Sequence, residues 1–283
     1  MSIISSYIPI LLLLILYFLY IYLDIENLKE TFENNIRILH LVLYSPGGSY
    51  DKMHEATSPL YKNIKNVDTY YYCFSPDIPG DYKLDDDILY IKGDETFIPG
   101  ILDKTIKAFE YFKDDLPNYT YIVRSNISTV IDFTKLKKEL INQEVNFGGG
   151  VMMHLSSLNP PYGKITEENE HWLGTSYPSG TAIIFSSDTL QKLLTQTDKL
   201  HREVIDDVAL GLHLRENNPE VEPKQIGKFT FVQNMADSED GEMEKMVKTN
   251  DFIFYRNHNG NRELDANQIK KLSHILSLQP DDE

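Results

Sequence analysis

Two adjacent carboxylates, Asp206 and Asp207, stand directly before the apolar run Val208-Ala209-Leu210-Gly211. Such a pair can do proton-transfer chemistry, one carboxylate taking a proton from a hydroxyl while its neighbour orients it. The same residues suit a helix start, with Asp206 as cap and Asp207 complementing the dipole. Both readings are open from sequence. A second polar group, Arg124-Ser125-Asn126-Ile127-Ser128, follows the apolar Tyr121-Ile122-Val123. Its side chains could contact a phosphate or a sugar, or Ser and Asn could simply cap the next helix. Gly180, in Tyr177-Pro178-Ser179-Gly180-Thr181, allows a ligand close to the backbone or serves as a turn glycine. The triplet Asp85-Asp86-Asp87 looks like a metal site, but it precedes a strand, so a solvated turn is the better reading.

These groups need elements to bring them together. The run 36–44 is apolar almost throughout and ends in Ser45-Pro46-Gly47-Gly48, as a strand buried on both faces would. A helix is expected over 54–65, strands over 69–74, 87–92 and 119–123, and amphipathic helices over 99–112 and 133–141. Alternating strands and helices predict an α/β fold with a mixed, mainly parallel sheet flanked by helices. In such sheets ligands sit at the carboxyl ends of the strands, where Arg124 to Ser128 would emerge. Gly148-Gly149-Gly150 fits no phosphate-binding glycine pattern and reads as a flexible connection to a strand over 151–155. The segment 237–244 reads as an acidic surface loop.

The formal charge is -16 and the pI about 4.9, which excludes a basic nucleic-acid-binding surface. The single cysteine, Cys73, excludes an internal disulfide and any multi-cysteine zinc site, and reads as a small core residue. With 41% hydrophobic residues, the 283-residue chain can bury a sizeable core.

No charged residue occurs over 3–23, a length that spans about 30 Å as a helix. No small-residue cleavage site follows, so an uncleaved anchor is expected over 1–23, a short stem over 24–35 and the globular body over 36–283. The acid-rich flank after the span favours a cytoplasmic N-terminus and a lumenal body. In that setting Asn118, in Asn118-Tyr119-Thr120, would be a glycosylation acceptor, whereas Asn126 within a site would stay unmodified.

Four blocks in order resemble the β-1,3-galactosyltransferase and Fringe family of glycosyltransferases: 94–105, ending in Lys104-Thr105; 121–129; Tyr177-Pro178-Ser179-Gly180 with its following strand; and Asp206-Asp207-Val208. Trp172 precedes the third block, as a family tryptophan often does. The resemblance covers roughly residues 88 to 215. It implies a GT-A fold preceded by the membrane anchor, and inverting transfer from a nucleotide-sugar donor, a UDP-sugar, to a hydroxyl of a glycan, protein or lipid acceptor. Asp207 would then be the general base and Asp206 its orienting neighbour. Arg124, Asn126, Ser128 and Lys104 would contact the donor, and Trp172 and Gly180 the acceptor.

One departure stands out. The family's metal-binding Asp-x-Asp is replaced by Asn126-Ile127-Ser128, and neutral ligands hold a hard cation weakly. Three explanations are open. Arg124, Lys104, Arg256 or Arg262 could replace the metal; manganese could be held by other groups such as Asp207 or His258; or the fold could serve binding without catalysis.

Overall fold

A computed structural model describes residues 17–22, 36–156, 166–232 and 241–278. The chain divides into Met1–Ile36, of which 17–22, a helix, and Ile36 are described, and Arg37–Glu283. Among the described residues no helix is long and apolar enough to cross a membrane. Most of the expected span over 3–23 and all of the stem over 24–35 lie outside them.

The body is built on an eight-stranded sheet. Its centre is β1 (Ile38–Leu43), whose six residues are almost wholly buried, as an uninterrupted apolar run requires. β2 (Val67–Ser75) and β5 (Tyr121–Asn126) flank β1 in parallel, and β4 (Ile88–Lys92) extends beyond β2 in the same direction. A short antiparallel strand, β3 (Tyr82–Asp85), closes that edge. On the other side β10 (Ala182–Ser186) runs antiparallel to β5, followed by β7 (Phe147–Gly149) and β11 (Pro223–Gln225). The order is β11-β7-β10-β5-β1-β2-β4-β3.

Helices cover both faces. Leu41, Ile122 and Phe185 face α2 (Gly100–Tyr111), α4 (Ser187–Leu194) and α5 (Asp206–Asn217), forming one continuous core with Phe109, Leu190 and Leu210. On the opposite face the ring of His40 packs edge-on against Tyr61 of α1 (Ser49–Lys62) and Phe133 of α3 (Phe133–Asn142), each at 4.9 Å. Burial pushes the His40 imidazole down to about 3, so it is a neutral core residue, hydrogen-bonded to Ser125 and Thr69. Each large aliphatic side chain buried here contributes about 1.5–3 kcal/mol.

Two smaller sheets complete the body. One holds β6 (Thr129–Ile131), β13 (Phe252–Arg256) and β12 (Lys228–Phe231); the other pairs β8 (Met152–His154) with β9 (Ser176–Pro178). α6 (Gly241–Thr249) and α7 (Arg262–Ser277) follow, and α7 packs along α1.

Several sequence expectations need correction. The first helix starts at Ser49, immediately after Gly47-Gly48, and not at His54. Gly148-Gly149-Gly150 is no flexible connection, since its first two residues lie in β7, between two other strands. A Cβ on Gly149 would run into the carbonyl oxygen of Ala182, and one on Gly150 into the ring of Phe254. The glycines serve close packing. Part of the expected acidic loop, from Gly241 onward, is the first turn of α6, and 237–240 lie outside the described residues. Asp85 and Asp86 are exposed as expected, but Asp87 is buried and accepts hydrogen bonds from His54, at 3.0 Å, and from Ser58.

Candidate active site

The parallel strands β1 and β5 end side by side, with Leu43 level with Asn126. β10 enters from the opposite direction, so Gly180, just before its first residue, arrives at the same end. Strand alternation turns Arg124 to the face shared by Ile122, towards α2 and α5. There it is 1% exposed and every guanidinium nitrogen has a polar neighbour, by hydrogen bond at Nε and Nη1 and by ion pairing at Nη2. Nη2 lies 2.6 Å from Asp206 Oδ2, and Nη1 donates to the Gly180 carbonyl at 2.6 Å and to Asn126 Oδ1 at 3.2 Å. Nε donates to the Tyr72 hydroxyl at 3.3 Å, which is itself 2.8 Å from Thr105 Oγ1. A buried cation needs this degree of satisfaction, because desolvation otherwise outweighs the pairing.

Asp206 and Asp207 open α5, but the cap position belongs to Ile205, which offers no side-chain hydrogen bond. The cap reading of Asp206 therefore falls. Its carboxylate turns inward to Arg124 instead. Asp207 is less buried and is fixed at both oxygens: Oδ1 accepts from Val208 N and Oδ2 from Gly180 N, each at 2.9 Å. Burial raises its pKa from 3.8 to about 6, helped by the neighbouring Asp206 charge. The Gly180 N–H, Arg124 and the Val208 N–H hold the rise back. A carboxyl titrating near neutral pH suits a general base. A Cβ on Gly180 would crowd the buried guanidinium, sitting 3.0 Å from Arg124 Nη1.

The structure thus joins Arg124, Asn126, Gly180, Asp206 and Asp207. Other sequence candidates are placed differently. Lys104 is 1% exposed, its Nζ 2.6 and 2.7 Å from the Glu95 carboxylate oxygens and 3.0 Å from the Tyr44 carbonyl. It braces the end of β1 and is not free to meet a ligand. Trp172 is 3% exposed, donates to Glu216 at 3.1 Å and packs against the His201 ring at 4.5 Å, so its faces are taken up by the core. Ser128 is buried at 3%, and its carbonyl accepts from Asn257 N. His258 is exposed in the turn after β13. Sequence reasoning missed Tyr72 and Thr105, the outer links of the Arg124 network. The only signal was a tyrosine within a buried strand, whose hydroxyl must find a partner. Cys73 is buried, and burial pushes its thiol up to about 12, in keeping with a core role.

A manganese ion does not fit these residues. Among the described residues no group of three or more His, Cys, Asp or Glu could hold a metal. At the position of the family's Asp-x-Asp, Asn126 Oδ1 already accepts from the buried Arg124 guanidinium and Ser128 is buried.

Comparisons with known proteins give one family match: a model described as Galactosyltransferase matches residues 78–225. A search of curated proteins found no match. Among solved structures, the chain is similar to a glycosyltransferase involved in the glycosylation of the major capsid of PBCV-1. That likeness has 10% identity and a TM-score of 0.42, over 83% of this chain and 98% of the other, and adds nothing to the geometry above.

Proposed function

The chain belongs to the galactosyltransferase family of glycosyltransferases, and from that premise we propose that it transfers a sugar from a UDP-sugar to an acceptor hydroxyl with inversion, on a GT-A-type body. Asp207 takes the proton of the acceptor hydroxyl as its oxygen attacks the anomeric carbon. The new carbon–oxygen bond forms on the face opposite the donor diphosphate. The old anomeric carbon–oxygen bond breaks, and its electron pair leaves with the nucleoside diphosphate. Asp206, paired with Arg124, keeps the base in place. The acceptor is a glycan, protein or lipid.

One observation carries this reading. Asp207 is held by two backbone N–H groups and is pushed up to about 6, beside a carboxylate already paired with a buried arginine. We further propose that residues 3–23 anchor the chain in a membrane with a cytoplasmic N-terminus and a lumenal body. The support is the uncharged run and the acidic flank after it.

The test is nucleoside diphosphate release by the full chain over a panel of UDP-sugars and acceptors. Asp207→Asn should lower turnover by about 10²–10⁴-fold with folding intact. In the parent protein kcat/KM should rise with pH through about 6. Unchanged turnover in the variant removes Asp207 as the base.

A further inference from the structure

The transfer proposed above leaves negative charge on a diphosphate, and catalysis requires that charge to be met where it develops. In this family site the usual carboxylates are replaced by Asn126-Ile127-Ser128, and the residues present do not fit a metal ion. Four cations were candidates for the task, and the structure removes two. Lys104 is locked onto Glu95, and Arg124 onto Asp206, Gly180, Asn126 and Tyr72.

Arg256 differs. It ends β13, where it pairs with Thr129, the third residue after Asn126, and its Nη1 donates to Thr129 Oγ1 at 3.3 Å. The next residue, Asn257, donates its N–H to the Ser128 carbonyl at 2.9 Å. The segment from 256 is thus tied directly to the replaced metal motif. Among the described residues no carboxylate lies within ion-pair distance of Arg256. From there the chain turns through Asn261, which caps α7, to Arg262. The Arg262 guanidinium lies 5.6 Å from the ring centroid of Tyr50, in the first turn of α1, and reaches Asp265 at 2.9 Å. Glu263 fastens the same corner by accepting from Ser49 and Lys52. Burial and the nearby charges of Arg262 and Arg124 lower Arg256 to about 10, with the charge of Asp265 acting against them. Both arginines lie outside the stretch 78–225 that matches the family model.

We propose that Arg256 and Arg262 form a diphosphate site that does the work of a divalent cation, so that this chain binds its nucleoside diphosphate without metal. The inference rests on the glycosyltransferase reading and specifies how its donor is held. A guanidinium suits the task because its planar fork meets phosphate oxygens in pairs and it stays charged through the reaction.

The test is calorimetric titration of the full chain with UDP, GDP and uridine, in EDTA and then in manganese. UDP or GDP should bind in EDTA, and manganese should change its Kd less than about threefold. Arg256→Met should weaken diphosphate binding by about 10- to 100-fold and leave uridine binding unchanged, while Arg256→Lys recovers part of the loss. Arg262→Gln, which loses the charge but keeps a donor for the buried Asp265, supplies a second variant should Arg256→Met fail to fold, and it should also weaken binding. Diphosphate binding that requires manganese overturns the proposal. So does metal-free binding that is equal in the parent and in both variants, although the glycosyltransferase reading then stands. If neither diphosphate binds in either condition, the nucleotide-sugar reading falls and this one with it.

Discussion

Replacing Asp207 by Asn should change how stability depends on pH, apart from its effect on turnover. The Asp207 pKa is about 6 in the folded chain against an ordinary 3.8. Between those values the folded state keeps a proton that the unfolded chain has released. The stability this contributes is fully present below the unfolded value and is lost as pH rises through the folded one. The asparagine of the variant would not titrate. Integrating the two titrations, the parent loses about 1.4 kcal/mol relative to Asp207→Asn between pH 5 and pH 8. For a body of this size that amounts to about 3–6 °C in Tm.

The vertical offset between the two proteins is a separate quantity. An amide offers one acceptor oxygen where the carboxylate offers two, so one of the N–H groups of Gly180 and Val208 loses its partner. That loss costs about 1–3 kcal/mol at every pH. The slope therefore carries the test. The groups that face Asp207 are Asp206, Arg124 and the two backbone N–H groups, and the substitution leaves all of them in the chain. Chemical denaturation of both proteins at half-unit pH steps measures the difference. A difference that is flat from pH 5 to pH 8, or that grows in favour of the parent as pH rises, refutes a raised Asp207 pKa and its assignment as the base.

Two further outcomes follow from the same geometry. Arg124→Met leaves the Asp206 carboxylate buried at 4% exposure with no counter-charge, which should cost about 3–5 kcal/mol in denaturant titrations. Adding Asp206→Leu should recover more than half of that loss, whereas additive losses would show that the pair does not act as a unit. Trp172→Phe removes the hydrogen bond to Glu216 and part of the packing on His201. It should lower stability by about 1–2 kcal/mol and leave the acceptor KM within about twofold. A large rise in KM would place the indole against the acceptor after all.

The sheet was legible because its central strands are written as unbroken apolar runs. Residues 36–44, 69–74 and 119–123 each mark a strand, and the alternation with amphipathic helices fixes the parallel core. The strands β6, β7, β9 and β11 to β13 were harder, since three to five residues carry too little periodicity to stand out. Gly148-Gly149-Gly150 misled because glycine favours both flexibility and close backbone packing, and only the presence of Ala182 and Phe254 decides between them. Within the site, residue types were visible and partners were not. Arg124 and Asp206 could each be singled out, but their pairing depends on how α5 packs beside β5. Lys104 looked available for a ligand because nothing local announces that Glu95 folds back onto it. Arg256 looked like one of four cations until the other two strong contenders proved to be spoken for.

Gly180 has a consequence of a mechanical kind. Its N–H holds Asp207 and its carbonyl is held by Arg124, so the Asp207 carboxylate and the buried cation are hinged on the two dihedrals of one α-carbon. Neither can be displaced alone: a rotation that slackens one contact pulls on the other. Five groups that look independently adjustable share very few degrees of freedom. A disturbance anywhere along β5, the start of β10 or the first turn of α5 would reach Asp207 as a small change in the angle of its hydrogen bonds. Its first sign would be a drift in the pH at which the enzyme works, before any loss of the fold.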